Sequence, residues 1–251
     1  MNAPVGGKNV GMPDDLADTP APPDTVGLLE GISTTRAVRR YHDEPVPVGA
    51  LRDMLFAATR APSGSNRQPF RFLVLTDGER ADAAKALIAR GARSVWGHKR
   101  SNDGYDTGSG TVDDSPKARM ARTMQDYVEN LHRVPVLVLG CLVRYRDPNP
   151  AEGASVYPAV QNVLLAARAL GYGGVLTGFH AFVDRELKEL LGIPPEVFIA
   201  ASITLGRPLG GHGPVRRSPM GELVYGDMWG LAADWAQDPP GTRHTARRKE
   251  G

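Results

Sequence analysis

Three arginines, Arg36, Arg39 and Arg40, crowd the five residues before Tyr41, and a second basic pair, Arg216 and Arg217, stands almost at the other end of the chain. A phosphate monoester carries close to two negative charges, and forked guanidinium groups recognise it better than point-like ammonium groups do. Converging in space, the two blocks would make an anion site; apart, each is a solvated surface or a set of salt-bridge partners. A third segment, residues 61–70, supplies small residues, a free backbone around Gly64, and the polar side chains of Ser63, Ser65, Asn66 and Gln68, directly before an apolar run. That composition suits holding the polar edge of a planar ligand. It equally suits a helix-to-strand turn with ordinary turn chemistry.

Other catalytic machinery does not emerge from the pattern. His42, His98, His132, His180, His212 and His244 have no paired spacing like a helical metal motif, so each reads as a surface or packing histidine, and no metal is expected. There is no Gly-x-Ser-x-Gly elbow and no phosphate loop ending in Gly-Lys-Ser/Thr. Gly171, Gly173 and Gly174 follow a helical pattern rather than a strand, so they do not make a dinucleotide fingerprint. The single cysteine, Cys141, excludes an internal disulfide, and its place in the apolar run 134–143 reads as a buried structural thiol.

The elements that must position these residues follow from periodicity. Residues 1–25, rich in Pro, Gly and Asp, cannot bury enough surface to offset the entropy of ordering and read as a disordered leader. Val26, Leu28, Leu29 and Ile32 predict a short helix, and Leu51, Met54, Leu55 and Ala58 a second one that ends at Pro62. Residues 70–75 predict a buried strand and residues 79–89 a helix. Residues 91–115 mix Gly, Ser, Asp and Asn with Trp96, His98 and Tyr105 and read as an irregular excursion, followed by a helix over 116–131. Strands are predicted at 134–143, around Val175 and Leu176, and at 197–205. A helix with a small-residue face spans 157–170; another spans 184–191, with Asp184 capping its start and Gly192 its end.

Helices and strands therefore alternate irregularly in one α+β domain, residues 26–230, with a lid insertion at about 91–130 and a partly disordered tail at 231–251. Thirty basic and 28 acidic residues leave a net charge of +2, which argues against a chain-wide surface for nucleic acid or anionic membrane. No apolar run approaches the roughly 20 residues that span a bilayer, and the N-terminus lacks a basic start before an apolar segment, so a reducing cytoplasm is expected.

Thr35-Arg36-Ala37-Val38-Arg39-Arg40-Tyr41, followed by Asp43-Glu44-Pro45-Val46-Pro47, resembles the N-terminal signature of the nitroreductase family, commonly Arg-Arg-Ser-Ile-Arg-x-Phe and then Pro-Val. The loop 61–70 resembles that family's Ala-Pro-Ser-x-x-Asn-x-Gln-Pro-Trp. Residues 160–167, continuing to Gly178, resemble its central helix and the glycine-rich turn behind it, and Leu205-Gly206-Arg207-Pro208 with Arg216-Arg217-Ser218-Pro219 resembles its ending. Four blocks in order cover about residues 27–225.

The resemblance implies a mixed central sheet flanked by helices and an interlocked homodimer with FMN at the subunit interface. It implies an oxidoreductase that moves two electrons from NADH or NADPH through the flavin to a nitroaromatic, quinone or similar small aromatic acceptor by a ping-pong mechanism, with no catalytic side chain. Carried over by position, Arg36, Ala37 and Arg39 hold the ribityl and phosphate groups, with Arg217 and Arg216 closing on the phosphate. Pro62, Ser63 and Gly64 match residues that reach a flavin across the interface, Asn66 of the same loop is a further cofactor-binding position, and Leu176, Thr177 and Gly178 match the turn beside the ring. Thr35 and Ala37 depart from the common arginine and serine. Within the lid, Trp96, Tyr105 and Tyr127 are candidates to stack on a planar substrate; their other reading is as packing. Relatives that dehalogenate aromatic substrates or consume flavin share these blocks, and a flavin-binding protein without turnover is the reading from a different class.

Overall fold

The computed structural model describes residues 26–245, so the leader 1–25 and the last six residues of the tail lie outside the described residues. Helix α1 (Leu28–Thr34) leads into an extended stretch, and α2 (Val48–Thr59) follows Pro47. Strand β1 (Phe70–Leu75) and α3 (Glu79–Asn102) come next, then α4 (Pro116–Asn130), whose first turn is closed by Ser115 Oγ accepting from the Ala118 amide at 2.9 Å. Strand β2 (Val136–Val143), α5 (Tyr157–Ala169), β3 (Gly173–Thr177), α6 (Asp184–Leu191) and β4 (Val197–Gly206) complete the body. A single turn, α7 (Met220–Leu223), begins a C-terminal arm.

The sheet runs β1-β2-β4-β3. The α+β class is as expected; all three pairings of the four-stranded sheet are antiparallel, and among the described residues the one parallel contact is the isolated bridge Arg217–His244. The strands alternate their side chains across two cores, because consecutive side chains of a strand point to opposite faces. Val136, Val138, Leu142, Ile203 and Leu205 meet α2 and α5 on one face, where Ala159, Val160, Val163 and Ala167 let α5 come close. Leu137, Leu139, Cys141 and Ile199 meet α3, α4 and α6 on the other. The thiol of Cys141 is buried there, and burial raises its pKa to about 11, in keeping with a structural role.

Several boundaries differ from the sequence reading. Helix α3 continues through Gly91 to Asn102, so the irregular stretch shrinks to 103–115 and the segment 91–130 consists largely of two helices. Ala92 and Trp96 sit on the buried side of that extension, and the glycines at 91 and 97 masked its periodicity. Asp184 is the first residue of α6 rather than its cap; the capping position is Val183, and Asp184 pairs with Lys188 at 2.9 Å. Gly192 ends α6 with φ of 65°, as expected. Gly173 and Gly174 belong to β3 instead of stopping α5. Residues 231–245 are described: Arg217 bridges to His244, and the amide of Thr245 donates to Arg217 O. Among the described residues no helix is long and apolar enough to cross a membrane.

Gly91 shows how α3 is seated. A β-carbon there would lie 2.3 Å from the carbonyl oxygen of Phe179, so the helix rests on the turn that follows β3 only because this position lacks a side chain. Alanine would gain about 1 kcal/mol in helix propensity, but the contact is with backbone that cannot rotate away. We expect Gly91→Ala to lower stability by about 1–3 kcal/mol overall, read as a lower urea midpoint with unchanged slope; an unchanged or raised midpoint would show that the turn moves freely.

Candidate functional site

The two arginine blocks come together because residues 33–42 run antiparallel to 206–215. The amides of Val215 and Gly213 donate to Ser33 O and Thr34 O, Leu209 N to Arg40 O, and His42 N to Arg207 O, with Tyr41 bridging Pro208. Arg36 fixes the turn, its Nε donating to Gly213 O at 3.0 Å and Nη2 to Pro214 O at 2.7 Å. Arg216 and Arg217 follow directly. Among the described residues, none of Arg36, Arg39, Arg40, Arg216 or Arg217 makes an ion pair, although eleven pairs form elsewhere.

Nitrogens without partners mark the same region. Arg39 Nε is buried with no acceptor, and His212 Nδ1 is buried with no partner while its Nε2 meets Tyr172 O at 3.0 Å. Burial, followed by the charges of Arg168 and Arg36, lowers the His212 pKa against the backbone bond, so the ring stays neutral and donates through Nε2. A buried donor lacking an acceptor, in a segment whose guanidinium groups bond only to carbonyls and make no ion pair among the described residues, fits a phosphate monoester and its polyol chain. Ala37 brings no hydroxyl and can contribute only backbone.

Beside this block lies the sheet edge. Val38 N donates to Gly174 O, and no other described backbone pairs with the outer side of β3. Leu176 is exposed on that edge. Thr177 is held inward, its Oγ1 2.8 Å from Ser202 Oγ, and Gly178 opens the turn. An open edge followed by a glycine gives backbone groups a flat ligand could reach.

The loop carrying Pro62, Ser63, Gly64 and Asn66 is elsewhere. It precedes β1, at the opposite edge of the sheet from β3, about 14 Å away across three strand spacings. Phe70 is also level with Leu142 and Phe198, whereas Gly173 is level with Gly206, about 25 Å further along β4. The loop is exposed and strained: Ser65, Asn66 and Gln68 have φ of 52°, 51° and 49°, a costly region for such residues. Ser63 Oγ accepts from Gln68 N at 2.8 Å, and Gly64 N donates to Ser155 Oγ at 3.4 Å. One chain thus keeps this loop and the arginine segment, which pairs with β3 at Gly174, at diagonal corners, with Leu176 and Thr177, level with Ile203 and Ser202, between them.

The three aromatic candidates divide. Trp96 is buried and donates to Gln125 Oε1 at 2.8 Å, and Tyr127 is buried with its hydroxyl 2.9 Å from Thr204 Oγ1, so both pack the core and present no free face. Tyr105, half-buried, lies against Trp96 with centroids 5.1 Å apart. Sequence reasoning passed over the polar row beneath them. Ser202 and Thr204 alternate along β4 and face α3 and α4, where Thr204 Oγ1 also meets Tyr41 OH at 2.9 Å and His180 Nδ1 lies 3.4 Å from Ser202 Oγ. Burial raises the pKa of both tyrosines, Tyr127 to about 12, and lowers that of His180, so all three stay neutral at pH 7. The signal was present: two hydroxyls at spacing two inside an otherwise apolar strand.

Comparison with known proteins places this geometry. A sequence model of the Nitroreductase family matches residues 32–207, well over half the chain. A protein of Methanothermobacter thermautotrophicus, provisionally named NADH dehydrogenase/NAD(P)H nitroreductase, is 28% identical over 184 residues, covering 72% of this chain and 77% of its own. The iodotyrosine deiodinase of Thermotoga neapolitana is 26% identical over 189 residues, covering 75% and 91%. A provisionally assigned nitroreductase of Desulfovibrio desulfuricans, crystallised in complex with FMN, superposes with a TM-score of 0.59 at 28% identity, covering 80% and 97%.

The Thr204 hub yields a stability test. Thr204→Val keeps the shape but leaves Tyr127 OH, which has no other described partner, buried and unsatisfied, at a cost of about 1–3 kcal/mol. Tyr127→Phe in that background should recover part of the loss. Additive effects in the urea-unfolding cycle would show that the two groups are not coupled.

Proposed function

The chain belongs to the nitroreductase family, and on that premise we propose that it is an FMN-dependent NAD(P)H oxidoreductase whose site is completed by a second copy of itself. The observation that carries the proposal is the buried, unpartnered Arg39 Nε in a segment whose backbone pairs with β3 at Gly174 and with the segment leading to Arg216 and Arg217. When bound, FMN supplies the redox chemistry, taking two electrons from NADPH or NADH and passing them to a nitroaromatic, quinone or similar small aromatic acceptor in ping-pong order.

The chain's own residues bind, orient and shield. Arg36 and Arg39, with Arg217 and Arg216 closing from the second block, hold phosphate and ribityl oxygens, and the Ala37 backbone lies between them. Leu176, Thr177 and Gly178 support the ring, with Ser202 fixing Thr177 from below. Pro62, Ser63, Gly64 and Asn66 come from the partner, which answers their distance from the arginines within one chain. Of the aromatic candidates, Tyr105 is the one with a surface left to meet an acceptor.

Exposed apolar surface supports the homodimer. Leu28, Leu29 and Phe56 are 71%, 79% and 62% exposed around α1 and α2, beside a groove of about 280 Å³ lined by Gly31, Ala57, Asn162 and Leu165. The arm after α7 exposes Met228, Trp229 and Trp235, a density of large apolar groups that marks an interface rather than a free surface. The buried thiol and the near-neutral charge suit a cytoplasmic protein that binds neither nucleic acid nor membrane. A reductive dehalogenase is the second reading, favoured by the Thermotoga relative; iodide release from 3-iodotyrosine, with nitroaromatics untouched, would select it.

Purified protein should be yellow, and NADPH should bleach it under anaerobic conditions; bleaching distinguishes an enzyme from a flavin-storing protein. Arg217→Ala removes a charge-assisted contact worth about 1.5–3 kcal/mol, so FMN affinity should fall roughly ten- to a hundred-fold. Sedimentation with and without FMN should show that the variant's dimer becomes dependent on added flavin, as expected of a ligand that binds only the assembled form. A wild-type monomer holding stoichiometric flavin would refute the shared site.

A further inference from the structure

Next to the loop that carries Gly64 and Asn66, two more guanidinium groups converge on one exposed ring. Arg67 Cζ lies 4.6 Å from the centroid of Tyr145, and Arg146 Cζ lies 5.4 Å from the same centroid. Tyr145 itself is 49% exposed. The one nearby carboxylate held by hydrogen bonds is Glu152, and Arg144 takes both of its oxygens, at 2.9 and 2.7 Å. Its pKa is lowered first by that bond, with Arg146 the last contributor. Among the described residues, therefore, neither Arg67 nor Arg146 has a hydrogen-bonded acid, and both guanidinium groups lie within 5.4 Å of the centroid of one half-exposed ring. Two guanidinium groups presented by one ring and free of acids suit a dianion better than a single charge would.

Position narrows the dianion. Arg67 follows Asn66 directly, and the Gly64–Ser155 bond ties this loop to the segment that carries Tyr145 and Arg146. On the proposed function, that loop borders the partner's flavin, so Arg67 and Arg146 flank the site that the nicotinamide donor must enter. We propose that Arg67 and Arg146, presented by Tyr145, form a seat for the 2′-phosphate of NADPH and make the enzyme prefer NADPH to NADH. This inference rests on the oxidoreductase reading. A guanidinium is the usual partner of that phosphate in dinucleotide recognition.

The test is made on the full-length FMN-loaded protein. Calorimetric titration should show 2′,5′-ADP binding at least about tenfold tighter than 5′-AMP, with Arg67→Gln/Arg146→Gln abolishing the difference and Tyr145→Phe retaining it. Steady-state kinetics should show the double variant losing about tenfold or more in the NADPH-to-NADH ratio of kcat/KM, while flavin content stays that of wild type. Equal binding of the two nucleotides, equal displacement of 2′,5′-ADP by inorganic phosphate, or an unchanged ratio in the double variant would overturn the seat and leave the oxidoreductase intact. A protein that takes up no FMN and oxidises neither nucleotide would overturn the function instead, an outcome that the flavin content read before each titration separates from loss of the seat alone.

Discussion

The antiparallel run of residues 33–42 against 206–215 brings together arginines that are about 180 positions apart in sequence, and it does so mostly through backbone hydrogen bonds. Arg36 reinforces it with two bonds to the carbonyls of Gly213 and Pro214. Side-chain variation at exposed positions can then alter the anion site without dissolving it, because register is set by the main chain. The cost is electrostatic: among the described residues none of the five arginines makes an ion pair, and Arg39 and Arg40 only share a cavity with Asp43 and Asp126.

Support for that corner passes through β4. Its apolar side chains anchor the α2 and α5 core, and Ser202 and Thr204 on the other face hold Thr177, His180, Tyr41 and Tyr127. Since all these groups are neutral at neutral pH, the row fixes orientation without adding charge near the sheet edge. Tyr41 links the two systems, because it lies within the arginine segment and bonds to both Val38 O and Thr204.

Much of this was legible in the sequence, and the failures have physical causes. The strands at 70–75 and 197–205 and the helices at 116–131 and 184–191 emerged within a residue or so, since their periodicity is uninterrupted. The continuation of α3 did not, because a glycine required by close packing against Phe179 O looks like a breaker. Glycine had the same effect in β3, where Gly173 and Gly174 read as a turn. The arginine blocks were visible as types, but their convergence depends on backbone pairing that no local pattern encodes. Trp96 and Tyr127 looked like lid residues because a candidate stacking ring and a core ring share one composition. Residues such as Ser155 and Tyr145 carry no motif and gain meaning only from the loop packed against them.

The central claim is that a functional site takes its arginines from one chain and its 62–66 loop from another. Complementation between two defective chains tests it most directly: co-express Arg217→Ala with Gly64→Asp under separate affinity tags, isolate the mixed dimer, and titrate FMN by fluorescence quenching. The account predicts that each parent dimer binds weakly, whereas the mixed dimer recovers one wild-type site in two. Two equally weakened sites in the mixed dimer would contradict it.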